Sequence, residues 1–241
     1  NDKVYEYFKE LPFVGEDLWH AYELSWLDKD GKPTAFTGQF NIPAASPFLI
    51  ESKSLKLYLN SLNNKSFENS EEARGAIAID LTKMCGDTVE VTLCQVEDQS
   101  FLGVELTGQC IDHYKLKRDD YDSVKDLICH GREDRVEETL YTHFLRSLCP
   151  VTKQPDWGSL WIEYKGEPID PSGLLTYIVS LRGAEDFHEH FIEQIFIELY
   201  SACKLEMLSV RGLYNRRGGL DICPWRSTHF VRGPVSRINR Q

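Results

Sequence analysis

One order of elements is written twice along this chain, and that repeat constrains its fold more than anything else. Leu18 to Ile42 reads as a hairpin, because "WHAYELSWL" and "TAFTGQFNI" flank the turn-forming "DKDGKP". Leu55, Leu59 and Leu62 then recur at helical spacing within Leu49 to Leu62. Asn69 opens a second helix: Glu72 stands where a capping box needs it, and Ile77 and Leu81 supply an apolar face. "TVEVTLCQV" and "GVELTGQCI" follow as two strands. The second half repeats this β-β-α-α-β-β order. "EETLYTHFLRSL" and "GSLWIEYKG" form a strand pair, although helical periodicity also fits Val136 to Leu148. Pro171 can open a helix at its first position, with Leu174, Leu175 and Ile178 facing inward. Ala184 to Cys203 is a stronger helix, because Phe187, Phe191, Ile195 and Leu199 share one stripe. "LEMLSVRGLY" and "GGLDICPW" close the set.

Two such units in tandem predict an α+β architecture of antiparallel sheets with helices on one face. A four-stranded sheet has two open edges, and open edges invite pairing between units and between chains, so a homodimer is expected. Between the units, His113 to Arg135 is polar and charge-dense and reads as a connector, with Leu127 and Ile128 packing down. The net charge of -11 disfavours a general nucleic-acid binder, since an acidic surface repels phosphate backbones. A local basic pocket could still hold a phosphorylated cofactor. The apolar run around Ile192 to Leu199 is interrupted by Glu193, Gln194 and Glu198, so no membrane span is expected. "NDKVYEYFKE" lacks the pattern of a secretory signal. The seven cysteines are odd in number and show no CxxC spacing, which predicts no disulfide framework, no structural zinc and a cytoplasmic location.

"SLCPVTKQPDWGSLW" carries the sharpest chemistry. Cys149 is a nucleophile candidate at a hairpin rim bounded by Pro150 and Pro155, where side chains are presented rather than packed. The bland alternative is a small buried hydrophobe. Asp156 could return to the same opening, take the thiol proton and hand it to a substrate atom, or it could simply cap its own turn. His188 and Glu189 begin the strongest helix. They are either ordinary first-turn polar groups or a hydrogen-bonding grip for a heterocycle, with Glu189 accepting from N–H donors and His188 stacking or donating. "HEH" is not a zinc-helix signature, because its histidines are two apart. In "IESKSLKLYLNS", Glu51 lies near a helix start, and Lys53 and Lys56 share one face that is either solvated or anion-binding. In "YNRRGGLDICPWRS", Arg216 and Arg217 precede two glycines, which suits phosphate recognition as well as a plain turn. No Rossmann or P-loop pattern is present.

Taken together, "ESKSLKLY", "CPVTKQPDWGS", "FHEHF" and "RRGGLDICPWRS" resemble, in order and spacing, the 7-cyano-7-deazaguanine reductases, nitrile reductases of queuosine biosynthesis, in their long two-module form. The resemblance runs from Leu11 to Arg226. It implies tandem tunnelling-fold (T-fold) modules: a first over residues 11–113, a connector over 114–135, a second over 136–226 and a tail over 227–241. It also implies that Cys149 attacks the nitrile carbon to form a thioimide, that Asp156 manages the protons, and that two NADPH supply hydride. By the same resemblance, Ile50, Glu51, Ser52, His188 and Glu189 meet the deazapurine, and Ser52, Lys53, Arg217 and Gly218 meet NADPH. No metal, tRNA or membrane is implied. Two rivals are a zinc-dependent cyclohydrolase-like enzyme of the same fold and a non-catalytic purine-binding module.

Overall fold

The computed structural model describes residues 11–99, 102–117, 122–129, 131, 134–229 and 237–241. The "NDKVYEYFKE" segment, part of the expected connector and part of the expected tail lie outside the described residues. The chain divides into two compact units that do not follow chain order: residues 16–102 with 216–223, and residues 1–15 with 103–215 and 224–241.

In the unit built on residues 16–102, β1 (Val14–Leu24), β2 (Phe36–Pro43) and β3 (Glu90–Gln95) form an antiparallel sheet in the order β3-β2-β1. Trp19 pairs with Phe40, and Phe40 with Val91, so one inward row crosses all three strands. Helix α1 (Ser52–Ser61) buries Leu55 and Leu59, and α2 (Ser70–Cys85) buries Ala73, Ile77, Leu81 and Cys85, a strict four-residue stripe. These residues close over Trp19, Trp26 and Phe40 as one core. Asn69 caps α2 as expected, accepting from Glu72 N at 2.9 Å, while the Glu72 carboxylate reaches the N–H of Glu68 rather than that of the cap.

One predicted strand is corrected. Within "GVELTGQCI" only Gln109–Cys110 forms a strand, β4, and it pairs in parallel with β5 rather than with β3. Gly108 explains the interruption. Its φ is +110°, and a Cβ there would lie 2.6 Å from the Thr139 carbonyl oxygen.

The other unit keeps the predicted order. It contains β5 (Val136–Leu148), β6 (Pro155–Gly166), α4 (Pro171–Ser180), α5 (His188–Ala202), β7 (Leu205–Tyr214) and the later part of β8 (Leu220–Ser227). Val136 to Leu148 is a strand, paired antiparallel with β6 along almost its whole length. Pro171 opens α4 behind its cap, Asp170. Helix α5 lies against β7, where a Cβ on Gly212 would collide with the Ile192 side chain. Of the predicted stripe, Phe191, Ile195 and Leu199 are fully buried, whereas Phe187 is the residue before the helix and is exposed. Within the expected connector, the short α3 (Val124–Ile128) buries Leu127 and Ile128. It comes so close to α4 that a Cβ on Gly173 would lie 1.9 Å from the Leu127 carbonyl oxygen.

The expectation of no disulfide is also corrected. Cys129 and Cys203 are bonded, with their Cα atoms 6.1 Å apart and a separation of 74 positions in sequence. Spacing rules see only local pairs, and this one is made by α3 docking beside the end of α5.

Candidate active site

The β5–β6 hairpin sets the site. Its ladder pairs Leu148 with Pro155 and Ser147 with Asp156. Cys149 to Gln154 form the connecting loop, closed by hydrogen bonds from Cys149 N to Gln154 O and from Lys153 N to Cys149 O, both 2.9 Å. Lys153 turns this corner at a φ of +60°, unusual for a side-chain-bearing residue. The rim picture needs correcting at one point: Cys149 is only 9 % exposed, so its thiol is sheltered, whereas Val151 in the same loop is 61 % exposed.

The chain entering α5 is tied to this hairpin. Leu148 N donates to Ala184 O at 2.8 Å, and Asp186 N donates to Leu148 O at 3.2 Å. The residue before the thiol therefore anchors the segment that delivers the first turn of α5. That turn brings His188 Nε2 to 3.3 Å from Asp156 Oδ2. Glu189, one residue on, is buried. The structure thus sets Asp156 against His188, the residue before buried Glu189, at the end of the hairpin whose loop carries Cys149.

Sequence reasoning missed two further parts of this site. Tyr214 ends β7, where Gly158 is its ladder partner. Its ring lies parallel to the His188 imidazole, with centroids 3.8 Å apart and planes 12° apart. Burial pushes the Tyr214 phenol well above its usual range. Asp156, Glu189 and Asp186 add to that, while Ser147 pulls the other way. His190, in the same turn, is raised by its hydrogen bond to Asp186; burial opposes this, and Glu193 and Glu189 assist. No local pattern could have singled out Tyr214, since its role depends on strand register and helix placement.

The remaining predicted residues lie in the other unit. Glu51 caps α1, accepting from Lys53 N at 3.0 Å and Ser54 N at 2.7 Å. Burial works to raise its carboxyl, but these N–H groups, the Ser54 hydroxyl and the Lys53 ammonium outweigh it and hold the group below its ordinary value. Ser52 is the first residue of α1, and Ile50 is buried just before it. Lys53 Nζ stands 3.7 Å from Glu51, and Lys56 Nζ 3.5 Å from Glu23. The turn before β8 is closed by hydrogen bonds between Arg217 and Leu220, and by Tyr22 N donating to Gly219 O at 2.9 Å. Gly218 and Gly219 take φ of +61° and +80°, and a Cβ on Gly218 would sit 2.9 Å from the Lys56 side chain. Lys56, Asn60, Gly218 and Gly219 line one pocket together with Glu23, whose carboxylate lies against Gly219. A turn of two positive-φ glycines beside a cationic side chain is an element that a phosphate-bearing cofactor can use.

Beneath this turn, His20, Asp221 and Cys223 place three ligand-type atoms within 4.8 Å of one another. Residues 201 apart in sequence meet here, so spacing alone could not reveal the group. Their geometry is that of a hydrogen-bonded cluster. His20 Nδ1 and Asp221 Oδ1 are 2.6 Å apart, and Tyr22 OH donates to Asp221 Oδ2 at 2.6 Å. Two ligands on one tetrahedral zinc, each at about 2.0 Å, would keep about 3.3 Å between them.

The chain is an enzyme, an oxidoreductase of the nitrile-reducing class. The family described as "Nitrile reductase, 7-cyano-7-deazaguanine-reductase N-term" matches residues 3–93, and that described as "QueF-like protein" matches residues 155–231. Proteins named NADPH-dependent 7-cyano-7-deazaguanine reductase are close relatives. That of Chromohalobacter salexigens is 47% identical over 96% of this chain and 83% of its own length. That of Dechloromonas aromatica is 48% identical over 93% of this chain and 80% of its own. This chain belongs to the NADPH-dependent 7-cyano-7-deazaguanine reductase family. An archaeosine synthase QueF-Like structure in the apo form aligns over 42% of the chain at 17% identity and a TM-score of 0.36, too slight a likeness to bear on the fold.

Proposed function

We propose that the chain reduces the nitrile of 7-cyano-7-deazaguanine to the aminomethyl group, in queuosine biosynthesis, through a covalent intermediate on Cys149. One observation supports the residue assignment: the backbone bonds between Leu148 and Ala184 and between Asp186 and Leu148 tie the Cys149 loop to the His188–Glu189 turn, and His188 meets Asp156.

In this reading the Cys149 sulfur bonds to the nitrile carbon, the C≡N bond loses one π pair, and the thiol proton passes through Asp156 to the nitrogen, giving a thioimide. Two hydrides and two protons complete the conversion to –CH2NH2, the carbon–sulfur bond breaks, and the thiol is restored. NADPH, when bound, supplies the hydride, one from each of two molecules. Asp156 is suited to carry protons because it is 4 % exposed and next to His188, so bulk water does not compete for them. Buried Glu189 would accept hydrogen bonds from N–H groups of the base. His188 has one ring face covered by Tyr214, so any stacking on the base uses the opposite face. Ile50, Glu51 and Ser52 are assigned to the base. Ser52, Lys53, Arg217 and Gly218 are assigned to NADPH, on the strength of the cationic, glycine-lined turn.

The substrate is a small molecule, and no helix among the described residues is long and apolar enough to cross a membrane. A cytoplasmic homodimer remains part of the proposal. The edge position of β3 supports association of chains, while the Cys129–Cys203 disulfide weighs against a strongly reducing setting.

Intact-protein mass spectrometry with 7-cyano-7-deazaguanine, in the absence of NADPH, tests the reading. The expected result is an adduct of one substrate mass on wild type and none on Cys149→Ala, discharged when NADPH is added. No adduct together with no NADPH consumption would overturn it.

A further inference from the structure

Tyr214 is 1 % exposed, and its phenol lies beside the Ser147 hydroxyl. Its ring engages a second group. Its centroid is 3.8 Å from that of His188, at 12°. Neutral aromatic pairs prefer offset or edge-on packing with centroids ~4.5–7 Å apart. The close face-to-face overlap lays the phenol ring along the imidazole plane, and the imidazole Nε2 is 3.3 Å from Asp156 Oδ2.

Tyr214 is itself firmly held. Its strand pairs with β6 through Gly158, and the buried Gln241 amide donates to the Tyr214 carbonyl oxygen at 3.3 Å. On the other side of the imidazole's reach, Asp156 is fixed by the ladder opposite Ser147. An imidazole on a helix's first turn can rotate about two side-chain bonds. A rigid ring beneath it leaves one plane, the one in which Nε2 meets the Asp156 carboxylate.

We propose that Tyr214 is a positioning residue for the nitrile reduction: its buried ring, stacked on His188, holds the imidazole in the plane that couples it to Asp156. This rests on the reading of Cys149, Asp156 and His188 as the reaction centre. The working part is assigned to the ring, which lies on His188, and not to the O–H.

Steady-state kinetics on Tyr214→Phe, Tyr214→Leu, His188→Ala and the double variant Tyr214→Leu/His188→Ala test it, with circular dichroism confirming the fold of each. Phe should keep kcat within about threefold of wild type. Leu should lower kcat roughly 10- to 100-fold, the scale of a misplaced catalytic group, with KM for the deazapurine nearly unchanged. In the His188→Ala background the Leu change should add less than about twofold, because coupled residues are not additive. Should Tyr214→Leu not fold, Tyr214→Met, which fills similar volume without an aromatic face, takes its place.

Wild-type kcat in the Leu variant, equal damage from Phe and Leu, or full additivity with His188→Ala would each overturn the inference. So would a loss confined to KM, which would make Tyr214 part of the binding wall. A wild-type protein with no turnover would sink the reading of the site itself, and this inference with it.

Discussion

His188 Nε2 and Asp156 Oδ2 stand 3.3 Å apart, on a helix and a strand, and the segment before the helix is bonded to the end of β5. Asp156→Asn keeps the shape of this contact and removes the proton acceptor. Adduct formation on Cys149 should slow by about 10²–10⁴, the usual contribution of a positioned acid or base. Stopped-flow quench with mass detection measures it. A variant within twofold of wild type would relieve Asp156 of its role.

Gly218 turns at a φ of +61° in front of Lys56. Gly218→Val places a branched side chain in a left-handed conformation, at a cost of about 1–2 kcal/mol, and fills the pocket. KM for NADPH should rise about tenfold or more, one factor of ten for each 1.4 kcal/mol. The affinity for the deazapurine, measured by calorimetry without cofactor, should stay constant. Equal losses for both ligands would mean that the turn is structural.

Cys129–Cys203 predicts a thiol count. Denatured without reductant, the chain should take up alkylating agent at the five cysteines outside the disulfide, and at all seven after reduction. Cys129→Ser/Cys203→Ser should lose about 2–4 kcal/mol of stability relative to the oxidised protein, read from chemical denaturation. Seven reactive thiols before reduction would show that the pair is open in solution.

His190 couples stability to pH. Its hydrogen bond to Asp186 holds it above the ordinary histidine value in the folded state, so protonation favours folding. That contribution is fully present below about pH 6.5, the unfolded value, and fades as pH rises through the folded one. The thermal midpoint of wild type should fall across that window relative to His190→Gln. Parallel curves for the two proteins would show that the Asp186 contact contributes nothing.

Much of this was legible in the sequence because it is periodic or local. The hairpin around "DKDGKP", the Asn69 cap, Pro171 at the start of α4 and the α5 stripe each depend on residues a few positions apart. Cys149, Asp156, His188 and Glu189 are candidates by motif spacing, not geometry. Contacts set by register and docking were out of reach: Tyr214 on His188, Cys129 with Cys203, His20 with Asp221. The short β4 shows the opposite failure. "GVELTGQCI" has the composition of a strand, but one glycine at positive φ, pressed against Thr139, redirects it.

The division of β8 between the two units has a consequence for synthesis. Residues 216–223 belong with 16–102, while 224 onward belong with 103–215. The unit built on residues 16–102 must therefore wait for a segment made after residues 103–215 of the other unit. Closing so long a loop is slow, and a nascent chain usually folds its domains in order of emergence. Here neither unit is complete until synthesis has passed residue 215. A ribosome stalled near residue 215 would carry both units unfinished, each lacking its share of the same strand.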